Sequence, residues 1–326
     1  MALYPKPFLS LDDQVALLKQ RGMEITDEPR AKFYLSRVNY YRLSAYWYPF
    51  REKQTVVDPN TGVEQTTILD TFKQGTHFSH ALDLYVFDKK LRLMALDALE
   101  RIEIALRADL AILLGQRAPL AHRDPSQLHG HFSRRRRNPQ AETEHEKWLR
   151  ILDGKVERSR EDFALHFRRR YPGADMPIWV AAEIWDFGAL SHLYAGLLQA
   201  DRDAIAQSYG VPDGRIFERW LRVLNDVRNI CAHHSRLWNK PLVNIPRMGG
   251  PGDIPAFDHI QADRRAQTRV YAAFAIMRHM VGVINPNSSW CLFLLEHLGT
   301  FPDNAYVSLK NAGFPDGWEQ QVIWAG

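Results

Sequence analysis

The stretch FSHALDLYVFDKKLRLMALDALERIEIALRADLAILLG, from about Phe78 to Gly115, limits the fold more than any other feature of the chain. Leu84, Phe87, Leu91, Met94, Ala98 and Ile102 recur every three or four residues, the period that places side chains on one face of an α-helix. This spacing predicts a core helix. The punctuation elsewhere is also helical: Ser10 offers an N-cap for SLDDQVALLKQRG, with acids in the first turn and Gly22 as a stop. A second helix is predicted from about Asp27 into RAKFYLSRVNYYRLSAYWYPF, and further helical patterns run over about 145–170, 178–199, 201–209, 213–234, 262–283 and 288–299. One segment breaks the pattern. In TVVDPNTGVEQTTIL two β-branched runs flank Asp58-Pro59-Asn60-Thr61-Gly62, which predicts a small hairpin inserted at about 53–70. Residues 116–147 hold Pro119, Pro125 and Pro139 and are predicted to be a long loop. The expected fold is all-α, a single domain over 1–326 with a hairpin insertion. Trp318 and Trp324, in a C-terminal extension of about 285–326, are expected to pack back on the body.

No apolar run is long enough to span a membrane: VAAEIWDFGALSHLYAGLLQA is interrupted by Glu183 and Asp186, and MVGVINPNSSWCLFLLEHLG by Asn285, Pro286 and Asn287. The first residues show no secretory pattern, and two cysteines, Cys231 and Cys291, make a disulfide scaffold improbable for a chain this long. A cytoplasmic protein is expected.

The net charge of +4 is unevenly placed. Residues 117–172 hold fourteen Lys and Arg against eight Asp and Glu, a local excess of six, so the remainder sums to −2. Arg134, Arg135, Arg136 and Arg137 form one run and Arg168, Arg169 and Arg170 another, and arginine outnumbers lysine 31 to 11. Arginine grips phosphate as a planar fork, so this segment is expected to bind a polyanion, RNA in particular, unless it is only a solvated loop.

The stretch VRNICAHHSRLWN, 227–239, places Arg228, Asn229, His233 and His234 together. A metal-independent ribonuclease needs a group to take the 2′-hydroxyl proton, one to protonate the leaving 5′-oxygen and a cation on the phosphorane. Histidine suits the first two, because an unperturbed imidazole titrates near neutrality, and arginine suits the third. Spacing alone is uninformative, since chance supplies as many Arg-to-His matches at four to six residues as the chain contains. Arg117 with His122, Arg123 with His129 and Arg160 with His166 match equally well. Context favours Arg228. On a continuous helix Asn229 and His233 share a face, whereas Arg228 and His233 diverge by about 140° and His234 points about 100° from His233. Arg228 must then reach around the helix or meet a histidine from another subunit. A zinc site at Cys231, His233 and His234 lacks a fourth ligand. The bland alternative is a buried polar cluster closing a helix.

RNICAHHSRLWN resembles the signature of HEPN ribonuclease domains. More specifically, the chain resembles the Abi-like family of bacterial abortive-infection proteins, of the AbiD and AbiF type, through SLDDQVALLKQRGMEITD (10–27), YLSRVNYYRLSAYWYPF (34–50), FDKKLRLMALDALERIEIALR (87–107) and PIWVAAEIWDFGALSHLY (177–194), followed by the Arg228 segment. The resemblance implies a HEPN-like helical bundle with additional helices, phage defence or toxin-like activity, and RNA cleavage without metal or cofactor. By position it puts Arg228, Asn229 and His233 on the catalytic motif, and Glu100, Glu103, Arg107, Tyr40, Tyr41 and Arg42 in marked segments to which it assigns no role. From residue chemistry His234 is expected as a substrate or structural contact, second in rank with Glu100, Glu103 and Arg107, and Tyr40, Tyr41 and Arg42 are RNA-contact candidates. Helix packing and intrahelical ion pairs are the competing explanation for Glu100, Glu103 and Arg107, and core packing for most of the aromatics of 40–47. The resemblance also implies regulation by a small noncoding RNA. Because the chain has one motif and such sites are composite, a homodimer is expected. The alternative function is a catalytically silent RNA-binding module.

Overall fold

The computed structural model of the chain describes residues 7–57, 64–134 and 141–325; the hairpin turn at 58–63 and Arg135, Arg136 and Arg137 lie outside the described residues. The chain's contacts divide into two compact units, Met1–Leu91 with Leu294–Asn311, and Arg92–Phe293 with Ala312–Gly326.

In the first unit, α1 (Leu11–Gln20) starts at Ser10, whose hydroxyl accepts the Asp13 N–H at 3.1 Å while the Asp13 carboxylate accepts the Ser10 N–H at 3.2 Å. Reciprocal capping of this kind satisfies two otherwise orphaned donors. The predicted second helix is two helices, α2 (Glu28–Val38) and α3 (Tyr40–Trp47), broken at Asn39 with φ +79°. Asn39 caps as it breaks, its side-chain oxygen accepting the Tyr41 N–H at 2.9 Å. The hairpin strands β1 (Arg51–Val57) and β2 (Glu64–Phe72) pair antiparallel, with Val57 opposite Glu64. Nearly every described hairpin residue is exposed or half-buried, as suits an insertion. Tyr46, Trp47, Phe50, Leu84 and Phe87 fill the core of this unit.

Helix α4 (Phe78–Gly115) is the predicted 38-residue element, about 57 Å long at 1.5 Å per residue. Leu84, Phe87, Leu91, Ala98 and Ile102 are buried as the spacing requires, and the stripe continues through Leu106, Leu110 and Leu114.

In the second unit, the long loop predicted over 116–147 is largely built. Short turns at Ala121–Arg123 and Pro125–Gln127 and α5 (Gly130–Ser133) bury Ala121, His122, Leu128 and Phe132. The apolar residues are spaced too irregularly for a helical period, yet they anchor the chain between its prolines. The single pattern at 145–170 divides at Ser159 into α6 (Glu144–Arg158) and α7 (Asp162–Arg170). That at 178–199 divides at Trp185–Asp186 into α8 (Ile178–Ala181) and α9 (Phe187–Gly196). Then come α10 (Gln199–Ser208) and α11 (Gly214–Ala232). The pattern over 262–283 resolves into α12 (Asp258–Ala262), α13 (Arg264–Gln267) and α14 (Val270–Ile284). Helix α15 (Trp290–Leu298) begins in this unit, and its residues from Leu294 on belong to the first.

The second unit is organised around α11, which packs on α9, α10 and α14. Gly214 permits the approach of α10, since a Cβ there would stand 2.5 Å from the Arg202 Cβ and 2.7 Å from its carbonyl carbon. The C-terminal tryptophans pack back as expected: Trp324 donates its indole N–H to the Tyr271 hydroxyl at 2.9 Å, and Trp318 lies edge-on to it. Among the described residues no helix is long and apolar enough to cross a membrane.

Candidate active site

The buried stripe of α11 decides where its polar residues stand. Phe217, Trp220, Leu221, Leu224, Val227 and Cys231 face the core, so Arg228 and Asn229 fall on the flank, half-buried. The helix stops at Ala232. Ser235 N–H donates to the Ile230 carbonyl at 2.9 Å and His234 N–H to that of Cys231 at 3.0 Å, a Schellman closure in which the position past the cap adopts a left-handed conformation. Here that position is His234, at φ +55°. A non-glycine residue in that region costs about 1–2 kcal/mol.

This closure takes His234, not His233, off the helical path. His233 is the C-cap, and its N–H still donates to the Asn229 carbonyl at 3.0 Å, so the divergence of about 140° from Arg228 stands within one chain. Both imidazoles are exposed. Asn229 does not hold the histidine in the isolated chain: its Oδ1 accepts from Arg228 Nη1 at 3.4 Å, and among the described residues no side-chain hydrogen bond joins it to His233.

Two other segments carry carboxyls that feel the charge of Arg228. From α4, Glu103 and Arg107 pair at 3.0 Å with side chains only 19% and 15% exposed. The Arg107 guanidinium also donates to the Trp185 carbonyl at 3.0 Å and reaches Glu183 at 3.4 Å. Burial pushes the Glu103 carboxyl up, against the charges of Arg107 and Arg228 and a hydrogen bond from the Phe187 N–H. Asp186 is the N-cap of α9, accepting the Ala189 N–H at 2.9 Å, and forms an ion pair with Lys155 of α6. Burial works to raise Asp186, but the bonds from Lys155 and Ala189 and the charges of Lys155 and Arg228 outweigh it and leave it lowered. Arg228 thus stands in the field of one carboxyl that resists ionisation and one that favours it. Such divergence is common where acid and base chemistry is done.

Of the second-tier residues, Glu103 and Arg107 join this cluster, whereas Glu100 is exposed a turn earlier. Lys155, Glu183 and Asp186 were not singled out in the sequence, although two acids interrupting the apolar run at 183 and 186 are a visible signal. Of the three competing Arg-to-His matches, Arg117 is in an ion pair with Asp201 and Arg123 in one with Asp153, while Arg160 and His166 are exposed.

The predicted RNA-contact residues are dispersed. Arg134, Arg169 and Arg170 are exposed. Arg168 instead turns inward, donating to the Val156 and Ser159 carbonyls at the end of α6 at 2.5 and 2.7 Å. In the first unit Tyr41 and Arg42 are exposed, Tyr40 is half-buried with its hydroxyl accepting from Arg21 at 3.2 Å, and Tyr46 and Trp47 are core.

The profile of the Abi-like protein family matches residues 33–239, which take in α4, the 183–186 corner and the whole of α11. No curated protein and no solved structure matches the chain. A match over well more than half the sequence, ending just past the Arg228 motif, is decisive, and the chain belongs to the Abi-like protein family.

Proposed function

We propose that this protein is a metal-independent endoribonuclease of an abortive-infection system, acting in the cytoplasm as a homodimer of HEPN type. Family membership supports the defence role. The observation that carries the chemistry is the end of α11, where His233 is exposed at a strained helix terminus and Arg228 is half-buried within the electrostatic field of Glu103 and Asp186.

In this reading an imidazole of His233 takes the proton of a ribose 2′-hydroxyl as that oxygen attacks the adjacent phosphorus. Arg228 stabilises the charge that gathers on the phosphorane oxygens, and Asn229 steadies Arg228 through the contact at 3.4 Å. A protonated imidazole then gives its proton to the departing 5′-oxygen, leaving a 2′,3′-cyclic phosphate and a 5′-hydroxyl. That imidazolium is the same His233, base first and acid as the phosphorane collapses, and a two-fold axis relating two protomers brings the Arg228 of one to the His233 of its partner. His234, Glu103 and Arg107 shape the site, and the exposed Arg134, Arg169 and Arg170 hold backbone phosphates of the substrate or of a regulatory noncoding RNA.

The test is cleavage of single-stranded RNA by purified protein in EDTA, with product ends identified. The proposal expects cyclic-phosphate ends and their loss in His233→Ala with the oligomeric state unchanged. Salt-dependent RNA binding without turnover would favour a silent RNA-binding module, and turnover that requires a divalent metal would overturn the mechanism.

A further inference from the structure

Within the first unit, residues of α1, α2, α3 and both hairpin strands line an open cavity of about 590 Å³. That is an ordinary size for a small-molecule pocket, about 300–1,000 Å³. Its lining divides into two kinds of surface. Leu9, Leu17 and Leu35 give it aliphatic walls, and Phe8 and Tyr41, 93% and 70% exposed, add aromatic rings. Rings held this far in water offer their faces to a flat partner, and stacking of a nucleic-acid base on one is worth about 1–3 kcal/mol. The charged residues of the lining are Arg21, Arg51 and Asp70.

Asp70 serves both guanidiniums, its Oδ2 accepting from Arg21 Nη2 at 2.9 Å and its Oδ1 from Arg51 Nη1 at 3.1 Å. One carboxylate thus answers two cations, and the lining keeps a surplus charge of one. The arginine side chains are largely covered, 20% and 16% exposed, whereas that of Asp70 is 61% exposed. Water therefore screens the carboxylate more than the guanidiniums, and the surplus positive charge is felt in the cavity. Asp70 also shows what the two arginines can hold: a pair of oxygens on one anionic centre, which a phosphate offers equally well. The turn that brings Tyr40 and Tyr41 to this lining is strained. Asn39, itself a lining residue, holds φ +79° and ψ 142°, a conformation that costs a non-glycine residue about 1–3 kcal/mol and recurs at ligand clamps.

We propose that this cavity binds one nucleotide whose phosphate carries a single negative charge, the base against Tyr41 and Phe8 and the phosphate on Arg21 and Arg51. A diester neutralises the surplus charge of one, and a doubly charged monoester overshoots it. One link of single-stranded RNA and a cyclic mononucleotide present the same chemistry. The inference goes beyond the nuclease reading: its residues belong to the other unit from Arg228, and its readout is binding, so it holds whether or not the protein cleaves RNA.

Calorimetry on the full-length protein at low salt with 3′,5′-cyclic adenosine monophosphate tests it, beside fluorescence anisotropy with a labelled single-stranded RNA hexamer. Adenosine, inorganic phosphate and decanoate are the controls. A nucleotide probe should bind at about millimolar concentration or tighter, with adenosine, which lacks the phosphate, and inorganic phosphate, which lacks the base, each about tenfold weaker or more. Tyr41→Ala removes a stacking surface and should weaken binding about tenfold, and Arg21→Gln removes a phosphate donor and should do the same. Asp70→Asn should act in the opposite sense. It withdraws the anion that competes for both guanidiniums and should tighten binding about fivefold or more, whereas an ion pair that serves only the fold would lower the melting temperature and leave affinity alone. Should Arg21→Gln fail to fold, Tyr41→Ala and Asp70→Asn, both at exposed positions, provide the test. Binding of the cyclic nucleotide identifies a free small ligand. Binding of the hexamer alone, with the same variant effects, identifies a nucleotide presented by RNA. Decanoate bound as tightly as the nucleotides, no binding of either probe, or an affinity that Tyr41→Ala leaves intact or Asp70→Asn fails to raise overturns the proposal.

Discussion

Acidification should unfold this protein partly through one histidine. His122 is 2% exposed, and its folded-state pKa of about 4 lies below the ordinary 6.5. Burial is the main cause, and the neighbouring charges of Arg123 and His145 add to it. The unfolded chain therefore binds a proton at this residue between pH 6.5 and about 4 that the native state refuses. Stability rises with pH wherever the unfolded state holds more protons. The contribution of His122 is thus complete above its unfolded value and is lost as the pH falls toward its folded value. The shift corresponds to about 3 kcal/mol in full, of which about 2 kcal/mol is lost between about pH 7 and about pH 5. Urea unfolding of wild type and His122→Gln at both pH values isolates the term, because the other histidines titrate in both proteins. The variant should be less stable near neutrality, and its loss on acidification should be smaller by about 2 kcal/mol. An equal loss in both would refute the assignment of a buried, neutral imidazole.

Other substitutions probe the same unit. Arg107→Ala leaves a half-buried carboxyl and the Trp185 carbonyl without their partner and should destabilise by about 1–3 kcal/mol in urea unfolding. Gly214→Ala sets a methyl against the backbone of Arg202, so α10 and α11 must separate, at about 1–3 kcal/mol in the same assay. Asp186→Ala removes the cap of α9 and the partner of Lys155; a loss of about 1–2 kcal/mol is expected, with a larger proportional fall in RNA cleavage because the field at Arg228 changes.

Long-period features were legible in the sequence, and local reversals were not. The α4 stripe and the capping box at Ser10 follow from spacing and side-chain chemistry alone. The breaks at Asn39, Ser159 and Trp185–Asp186 were missed because apolar spacing continues through each of them, and only capping by Asn39 and Asp186 shows where the chain turns. The packed turns within 116–147 were hidden by prolines, which signal irregular backbone but not whether it is buried. At the site, Arg228, Asn229 and His233 were readable as a motif, but the helix end between Asn229 and His234 was not, since a histidine occupies the left-handed position where glycine would have announced it. Lys155 and Asp186 come from segments distant in sequence, and only the fold pairs them and sets Asp186 in the field of Arg228.

The central claim is that the guanidinium of one protomer and the imidazole of its partner serve the same scissile phosphate. Arg228→Ala and His233→Ala proteins, each assayed alone and then mixed after subunit exchange, test it directly by RNA cleavage in EDTA. Each variant alone should be inactive, and the mixture should recover cleavage, because a mixed dimer restores one site with both groups intact. A mixture as inactive as its components, or a single variant that still cleaves, would contradict it.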